Sequence, residues 1–149
     1  MNVSSQSTVV VGAGPYGLAV AAHLRGRGVP VRVFGEPMQL WSRHMPKGMY
    51  LKSEPAASTI SAPTAGYTLA DYCTISGRPS LGQHGPVPIE LFIEYGQWFQ
   101  EQLVPVEQER VVCVAPVGDG FAVTLESGEV VAAKSVVMAA GHLQFAYVP

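Results

Sequence analysis

A strand, a glycine-rich turn and the start of a helix follow one another near the beginning of this chain. Gly12, Gly14 and Gly17 have the spacing GxGxxG and come directly after three valines, residues 9–11. In such a unit the first glycine permits a tight turn, the second lets the backbone approach a phosphate, and the third lets helix and strand pack closely. The helix N-terminus adds N–H donors and a partial positive charge. The pattern therefore predicts a loop that binds the pyrophosphate of a dinucleotide.

The residues around the glycines support this prediction, which would be weak alone because 16 of the 149 residues are glycine. The uncharged run 8–11 is typical of a buried parallel strand. Residues 15–27 favour a helix and residues 31–34 a second strand, which completes a βαβ unit. Pro15 suits the first helical turn, and we count it and Tyr16 among the predicted cofactor-binding residues. The alternative is a glycine turn that binds no ligand.

An acidic residue after the second strand commonly binds the adenosine ribose. Glu36 lies 19 residues after Gly17, close to the usual separation of about 20. Glu36 lies one position after the usual place of this acid, because Gly35 directly follows the strand. The alternative interpretation of Glu36 is a solvated glutamate in a turn. We find no basic residue beside Glu36, since Arg43 is too far along the chain to assign, and this favours FAD or NAD over NADP.

Composition limits the classes of partner. The net charge of −2 and the lack of a Lys/Arg cluster argue against nucleic acid. Glycine and proline interrupt the apolar N-terminal run, and no other uninterrupted apolar stretch of about 20 residues occurs. We therefore expect no membrane span and a cytoplasmic protein. Cys73 and Cys113 form neither a disulfide framework nor a zinc motif, and we predict no metal site.

The chain has few charges for its apolar content. Charged residues make up 13% and apolar residues 48%, against about 25% charged in typical soluble domains. We therefore expect part of the surface to be covered, either in a homo-oligomer or by a missing C-terminal half.

The pattern along residues 1–149 predicts one α/β domain. It comprises a βαβ unit (7–36), an inserted segment of loop and helices (37–104), an antiparallel three-stranded β-meander (110–134) and a linking strand (135–141). Within the insert, residues 68–76 and 88–102 favour helices, and the aromatic stripe on the second is interpreted as core packing. The linking strand is predicted to be buried, parallel and directed at the same crevice as the glycine loop.

These features together resemble the first half of a two-dinucleotide flavoprotein. The resemblance covers the whole chain, and residues 34–38, 40–49, 51–55 and 86–92 make it more specific. They are similar to FAD-dependent monooxygenase-like oxidoreductases, relatives of lysine/ornithine N-monooxygenases, Baeyer–Villiger enzymes and dimethylaniline-type enzymes. The resemblance implies a Rossmann-like, three-layer ββα FAD-binding half-domain, with FAD bound here and NAD(P)H used by the full-length parent.

The resemblance also implies roles for particular residues. The glycine loop would bind the FAD pyrophosphate and Glu36 the ribose. Trp41 would lie near the isoalloxazine, and Val111 would contact adenine through its backbone. Gly141 would end the linking strand, where Ala140 replaces the usual threonine. It assigns no catalytic residue, and the histidines at 44 and 142 are more simply a loop and a linker histidine.

Such enzymes continue into a second GxGxxG domain, of which this sequence shows no sign, so we expect a truncated N-terminal portion. FAD retention and turnover by this chain alone are then in doubt, and the small-molecule substrate is unidentified. A non-catalytic dinucleotide-binding module or regulatory subunit is the alternative from another class. A dithiol reductase is disfavoured, because residues 36–72 lack paired cysteines.

Overall fold

The computed structural model describes residues 7–142, which form two β-layers and one helical layer. The strands are β1 (Thr8–Val11), β2 (Val31–Phe34), β3 (Tyr50–Leu51), β4 (Val87–Pro88), β5 (Val111–Val117), β6 (Gly120–Leu125), β7 (Val130–Ala133) and β8 (Ser135–Met138). The helices are α1 (Pro15–Gly26), α2 (Leu69–Ile75) and α3 (Ile89–Leu103), with a π-helical turn at Leu40–His44 and a 3₁₀ turn at Ala56–Ser58.

The parallel sheet has the order β2-β1-β8. Val10 lies opposite Val33 on one side and Val137 on the other. Glu107 extends the sheet beyond β2, since its N–H donates to the Val33 carbonyl at 2.8 Å and its carbonyl accepts from Gly35 at 3.0 Å. The carboxyl ends of all these segments therefore meet at one edge, which is where ligands bind in open α/β sheets.

Alternating valines divide the core between the two faces of this sheet. Val10 and Val33 face the helices, where they pack with Leu18 and the buried side of α3. Val9 and Val11 face the antiparallel sheet β5-β6-β7 and pack against its inner residues. This alternation follows from the two-residue period of a strand. The predicted three-layer ββα arrangement, with its β-meander and inserted helices, is confirmed.

The prediction of a buried linking strand over 135–141 is wrong in two respects, its end and its burial. The strand is parallel to β1, as predicted, but it ends at Met138, and its residues are only half-buried or exposed. Met138 itself is 62% exposed. The reason is that, within residues 7–142, β8 lies at the edge of the sheet and has only β1 as a neighbour. Among the same residues, no helix combines the length and apolar character needed to cross a membrane.

Tyr95 on α3 fixes the inserted loop to the helical layer. Its side chain is fully buried, its hydroxyl donates to the Tyr67 carbonyl at 2.8 Å, and the hydroxyl oxygen accepts from the Ile60 N–H at 2.9 Å. Burial raises the pKa of the phenol from its ordinary value near 10 to about 12. The core interpretation of this aromatic stripe is confirmed, since Leu91, Tyr95 and Phe99 are all buried.

We expect Tyr95→Phe to lower the free energy of unfolding by about 2 kcal/mol, because it leaves the buried Ile60 N–H and the half-buried Tyr67 carbonyl without their partner. The raised pKa adds a pH dependence. The native state keeps the phenol proton that the unfolded chain releases above pH 10, so this contribution to stability is complete below pH 10 and is lost towards pH 12. Denaturant unfolding at pH 8 and pH 11 measures both effects. The wild type should lose more stability between these values than Tyr95→Phe, and parallel losses would contradict the assignment.

Candidate functional site

Two of the three fingerprint glycines are required by the protein's own packing. Gly12 has a φ of +111°, and a Cβ there would lie 2.6 Å from the Ala139 carbonyl carbon. A Cβ on Gly17 would lie 3.0 Å from the carbonyl carbon of Gly12 and closer still to its oxygen. The first glycine therefore lets β1 turn beside the end of β8, and the third lets α1 approach that turn.

Gly14 is different, because neither its conformation nor its packing requires glycine. Its φ of −78° and ψ of −179° are extended values that any residue adopts. No described atom lies within 4 Å of the position that its Cβ would take. The missing side chain thus leaves open space over the backbone at the start of α1, and this space fits a phosphate group that approaches closely.

The first turn of α1 suits an anion. Gly14 is its N-cap and offers no side-chain cap, Pro15 occupies the first position, and the turn has no acidic residue. The positive end of the helix dipole is therefore not offset by a carboxylate on the helix itself. Tyr16 stands beside it with 85% of its side chain exposed.

Glu36 follows β2 at the same edge, and Arg43 binds its carboxylate. The Arg43 Nε donates to Glu36 Oε1 at 2.9 Å, and a terminal guanidinium nitrogen lies 2.7 Å from Oε2. Our inference that no basic residue lies beside Glu36 is therefore wrong: the π-helical turn brings a residue seven positions later back to it. A carboxylate has about four lone-pair positions, so Glu36 keeps acceptor capacity for ribose hydroxyls.

Trp41 lies on the π-helical turn and packs against the helical layer. Its ring meets Phe92 of α3 edge to face, with centroids 4.8 Å apart and an interplanar angle of 77°. The indole is half-buried, so one part of it belongs to the edge of the core and another part is accessible.

Val111 and Ala140 lie together in a recess between the carboxyl ends of the parallel strands and β5. The recess has a volume of about 220 Å³ and is lined by Val11, Val111, Val112, Cys113, Val114, Met138 and Ala140. Gly141, with a φ of +71°, follows directly. The structure thus brings two predicted site residues together with the strand that leads into the glycine loop.

A second, polar recess of about 360 Å³ lies beyond β2. Its lining comprises Glu36, Pro37, Ser42, Gln97, Gln100, Glu101 and Gln108. The two recesses lie at the same edge of the parallel sheet, one beside Glu36 and the other beside Val11. The first recess is therefore lined mainly by apolar residues at the end of β1, and the second mainly by polar residues around Glu36.

Arg32 of β2 contributes to structure rather than to the site. It pairs with Glu107 at 2.6 Å and with Glu129 at 3.1 Å, and it lies over the Phe34 ring. The hydrogen bond from Arg32 lowers the pKa of the Glu107 carboxyl. The ion pair with Glu107 holds the strand-like segment at that residue beside β2. The Arg32 guanidinium is therefore engaged by Glu107 and Glu129.

Sequence reasoning missed Met38 and Arg43. Met38 is fully buried, and its N–H donates to the carbonyl of Ala13 in the glycine loop at 3.1 Å. Neither residue carries a sequence pattern that would identify it. Within residues 7–142 no three metal-ligating side chains lie together.

Comparison with known proteins agrees with this geometry. A family model described as FAD-NAD(P)-binding matches residues 9–143. No curated protein sequence gives a significant match.

Several solved structures share the fold. A flavin-containing monooxygenase from Stenotrophomonas maltophilia is 24% identical, with a TM-score of 0.77, and the match covers 97% of this chain and 41% of that protein. A bacillithiol disulfide reductase from Staphylococcus aureus is 17% identical, with a TM-score of 0.72, and the match covers 91% and 39%. An FAD-bound form of OTEMO is 21% identical, with a TM-score of 0.72, and the match covers 97% and 26%. The chain thus spans well under half of each.

Proposed function

The chain belongs to the FAD-NAD(P)-binding family, and from this premise we propose that it forms the FAD-binding part of a flavin-dependent oxidoreductase, a monooxygenase in particular. The observation that carries the proposal is the open space over Gly14. The two neighbouring fingerprint glycines serve the fold, whereas no part of residues 7–142 outside the loop itself occupies the space over this one. A dinucleotide pyrophosphate has the charge and the shape for this position.

The proposed arrangement assigns the predicted residues to parts of FAD. The pyrophosphate binds at the loop and first turn formed by Gly12, Gly14, Pro15, Tyr16 and Gly17. Glu36 accepts hydrogen bonds from the ribose, and Val111 contacts adenine through its backbone. Trp41 lies towards the isoalloxazine, and Ala140 and Gly141 complete the recess beside the loop.

When bound, FAD supplies the redox chemistry, with NAD(P)H as the reductant, and the protein supplies binding and orientation. This chain's residues hold the pyrophosphate at the helix N-terminus and keep the Glu36 carboxylate directed by Arg43. In the proposed domain arrangement, residues 7–36 and 110–141 form the cofactor-binding frame and residues 37–104 the insert. The same proposal includes a substrate pocket and an NAD(P)H site in the whole protein. It also includes a homo-oligomer as one way of covering the apolar surface.

The monooxygenase assignment is supported by the segments around Trp41 and by the fold shared with a flavin-containing monooxygenase. The fold shared with a bacillithiol disulfide reductase raises thiol chemistry as a second candidate. The cysteines of this chain argue against a dithiol centre of its own, because Cys73 is buried on α2 and Cys113 is exposed on β5.

The two cysteines offer a direct test of FAD binding. Cys113 lines the recess assigned to adenosine, whereas Cys73 is 3% exposed and lies in the helical layer. After free FAD is removed by gel filtration, we expect the protein to retain a flavin that absorbs at about 450 nm, and we expect bound FAD to slow alkylation of Cys113 by iodoacetamide. Modification of Cys73, measured by peptide mass spectrometry, should not change.

The control for this experiment is Cys113→Ser, which should bind FAD as the wild type does. Addition of NAD⁺ in place of FAD distinguishes a general dinucleotide-binding module from a flavin site. A chain that binds no FAD, or that binds it without protecting Cys113, would contradict the assignment of the recess.

A further inference from the structure

Met38 has an unusual backbone conformation for a methionine. Its φ is +58°, and no other non-glycine residue between 7 and 142 has a positive φ. The left-handed region is disfavoured for residues with a Cβ, and such strained residues occur where the surroundings hold them in place. The side chain is fully buried, so this conformation does not belong to a free surface turn.

A notch in α3 receives the Met38 side chain. Gly96 lies opposite it, and a Cβ on Gly96 would come within 2.6 Å of the Met38 Cγ and Cε atoms. The absence of a side chain at position 96 is therefore what allows the methionine to enter the helical layer. This explains a glycine inside a helix, where it is otherwise unfavourable.

Backbone hydrogen bonds link Met38 to two parts of the candidate site, the glycine loop and the π-helical turn. Its N–H donates to the carbonyl of Ala13, between the first two fingerprint glycines, at 3.1 Å. Its carbonyl accepts from the N–H groups of Trp41 and Ser42, both at 3.0 Å, and so starts the π-helical turn. That turn places Arg43 on Glu36, two residues before Met38.

We propose that Met38 is a positioning residue for FAD, whose left-handed conformation, held by its main-chain hydrogen bonds to Ala13, Trp41 and Ser42, sets Glu36 and Trp41 in register with the glycine loop. The inference rests on the proposed function. An extended or right-handed residue at position 38 would redirect the chain between Glu36 and Trp41, so that the ribose contact and the isoalloxazine contact no longer fit one dinucleotide.

Three substitutions at Met38 separate conformation from packing. Leucine keeps most of the buried volume and tolerates the left-handed region about as methionine does. Valine is β-branched and disfavours that region strongly. Glycine adopts it freely but leaves the notch empty. Leu69→Val, a buried core substitution on α2 in the same cluster, is the matched control for lost packing.

The expected order of stability is Met38→Leu, then Met38→Val, then Met38→Gly, because losing the whole buried side chain in the glycine variant costs more than the strain and the smaller lost volume in the valine variant. The expected order of FAD affinity is different. Met38→Leu and Met38→Gly should stay near the wild type, and Met38→Val should bind FAD about tenfold more weakly. Leu69→Val should lose stability without losing affinity. FAD titration monitored by flavin fluorescence and thermal unfolding of the apoprotein provide the two measurements.

A purely structural role predicts that affinity follows stability through the whole series, and that result would overturn the inference. If Met38→Gly does not fold, the comparison of Met38→Val with Met38→Leu and Leu69→Val decides, and equal affinities would overturn it. If the wild-type chain binds no FAD, the proposed function fails and the inference fails with it. If the wild type binds and Met38→Val binds equally well, only the inference fails.

Discussion

Replacing Gly14 with valine is expected to weaken FAD binding at least about 100-fold while the chain keeps its fold. The backbone there is extended, which a β-branched residue adopts readily, and no described atom would contact the new Cβ. The loss of stability should stay within about 1 kcal/mol, the scale of an altered N-cap. The isopropyl group would hold the phosphate away from the helix N-terminus. Losing two charge-assisted hydrogen bonds of about 1.5 kcal/mol each gives a factor of about 100.

FAD titration and denaturant unfolding of wild type and Gly14→Val measure the two effects separately. Gly14→Ala is the graded control, since a methyl group fills only part of the open space and should cause a smaller loss of affinity. Wild-type FAD affinity in Gly14→Val would mean that the open face over Gly14 is not the phosphate site. A large loss of stability would mean that this glycine serves the fold, as Gly12 does.

Elements with a clear local pattern could be predicted with their bounds. Thr8–Val11 and Val31–Phe34 are short valine-containing runs limited by glycine or proline, and the structure has both strands at those residues. The meander turns at Gly118 and Gly128, whose φ values of +60° and +91° suit glycine. The exposure of β8 could not be predicted, because an apolar run does not reveal how many strands lie beside it.

The candidate site likewise contains residues that the sequence could predict and residues that it could not. The glycines and Glu36 belong to one local spacing pattern, so the sequence alone is enough to predict them as site residues. The Arg43–Glu36 pair depends on a π-helical turn, for which ordinary helical spacing gives no indication. The burial of the left-handed methionine depends on Gly96, which lies 58 positions later on another element. Contacts of this kind are set by tertiary packing, which overrides local preference.

Gly12→Ala should destabilise the fold far more than Gly14→Ala. The new Cβ would lie 2.6 Å from the Ala139 carbonyl carbon, a backbone atom that cannot move without separating β1 from β8. Backbone strain at a φ of +111° adds to this overlap. Together they should lower the free energy of unfolding by about 3 kcal/mol or more.

Gly28→Ala is the matched control for Gly12→Ala, because it isolates backbone strain from steric overlap. Gly28 follows α1 with a φ of +74° and has no described atom near its Cβ position, so alanine there should cost only about 1 kcal/mol. Urea unfolding of the two variants measures the difference. Equal losses in the free energy of unfolding would mean that the end of β8 does not pack closely against the glycine loop. The expected inequality, together with a near wild-type stability of Gly14→Ala, would show that two glycines of one fingerprint serve different ends: Gly12 joins the strands, and Gly14 leaves room for the ligand.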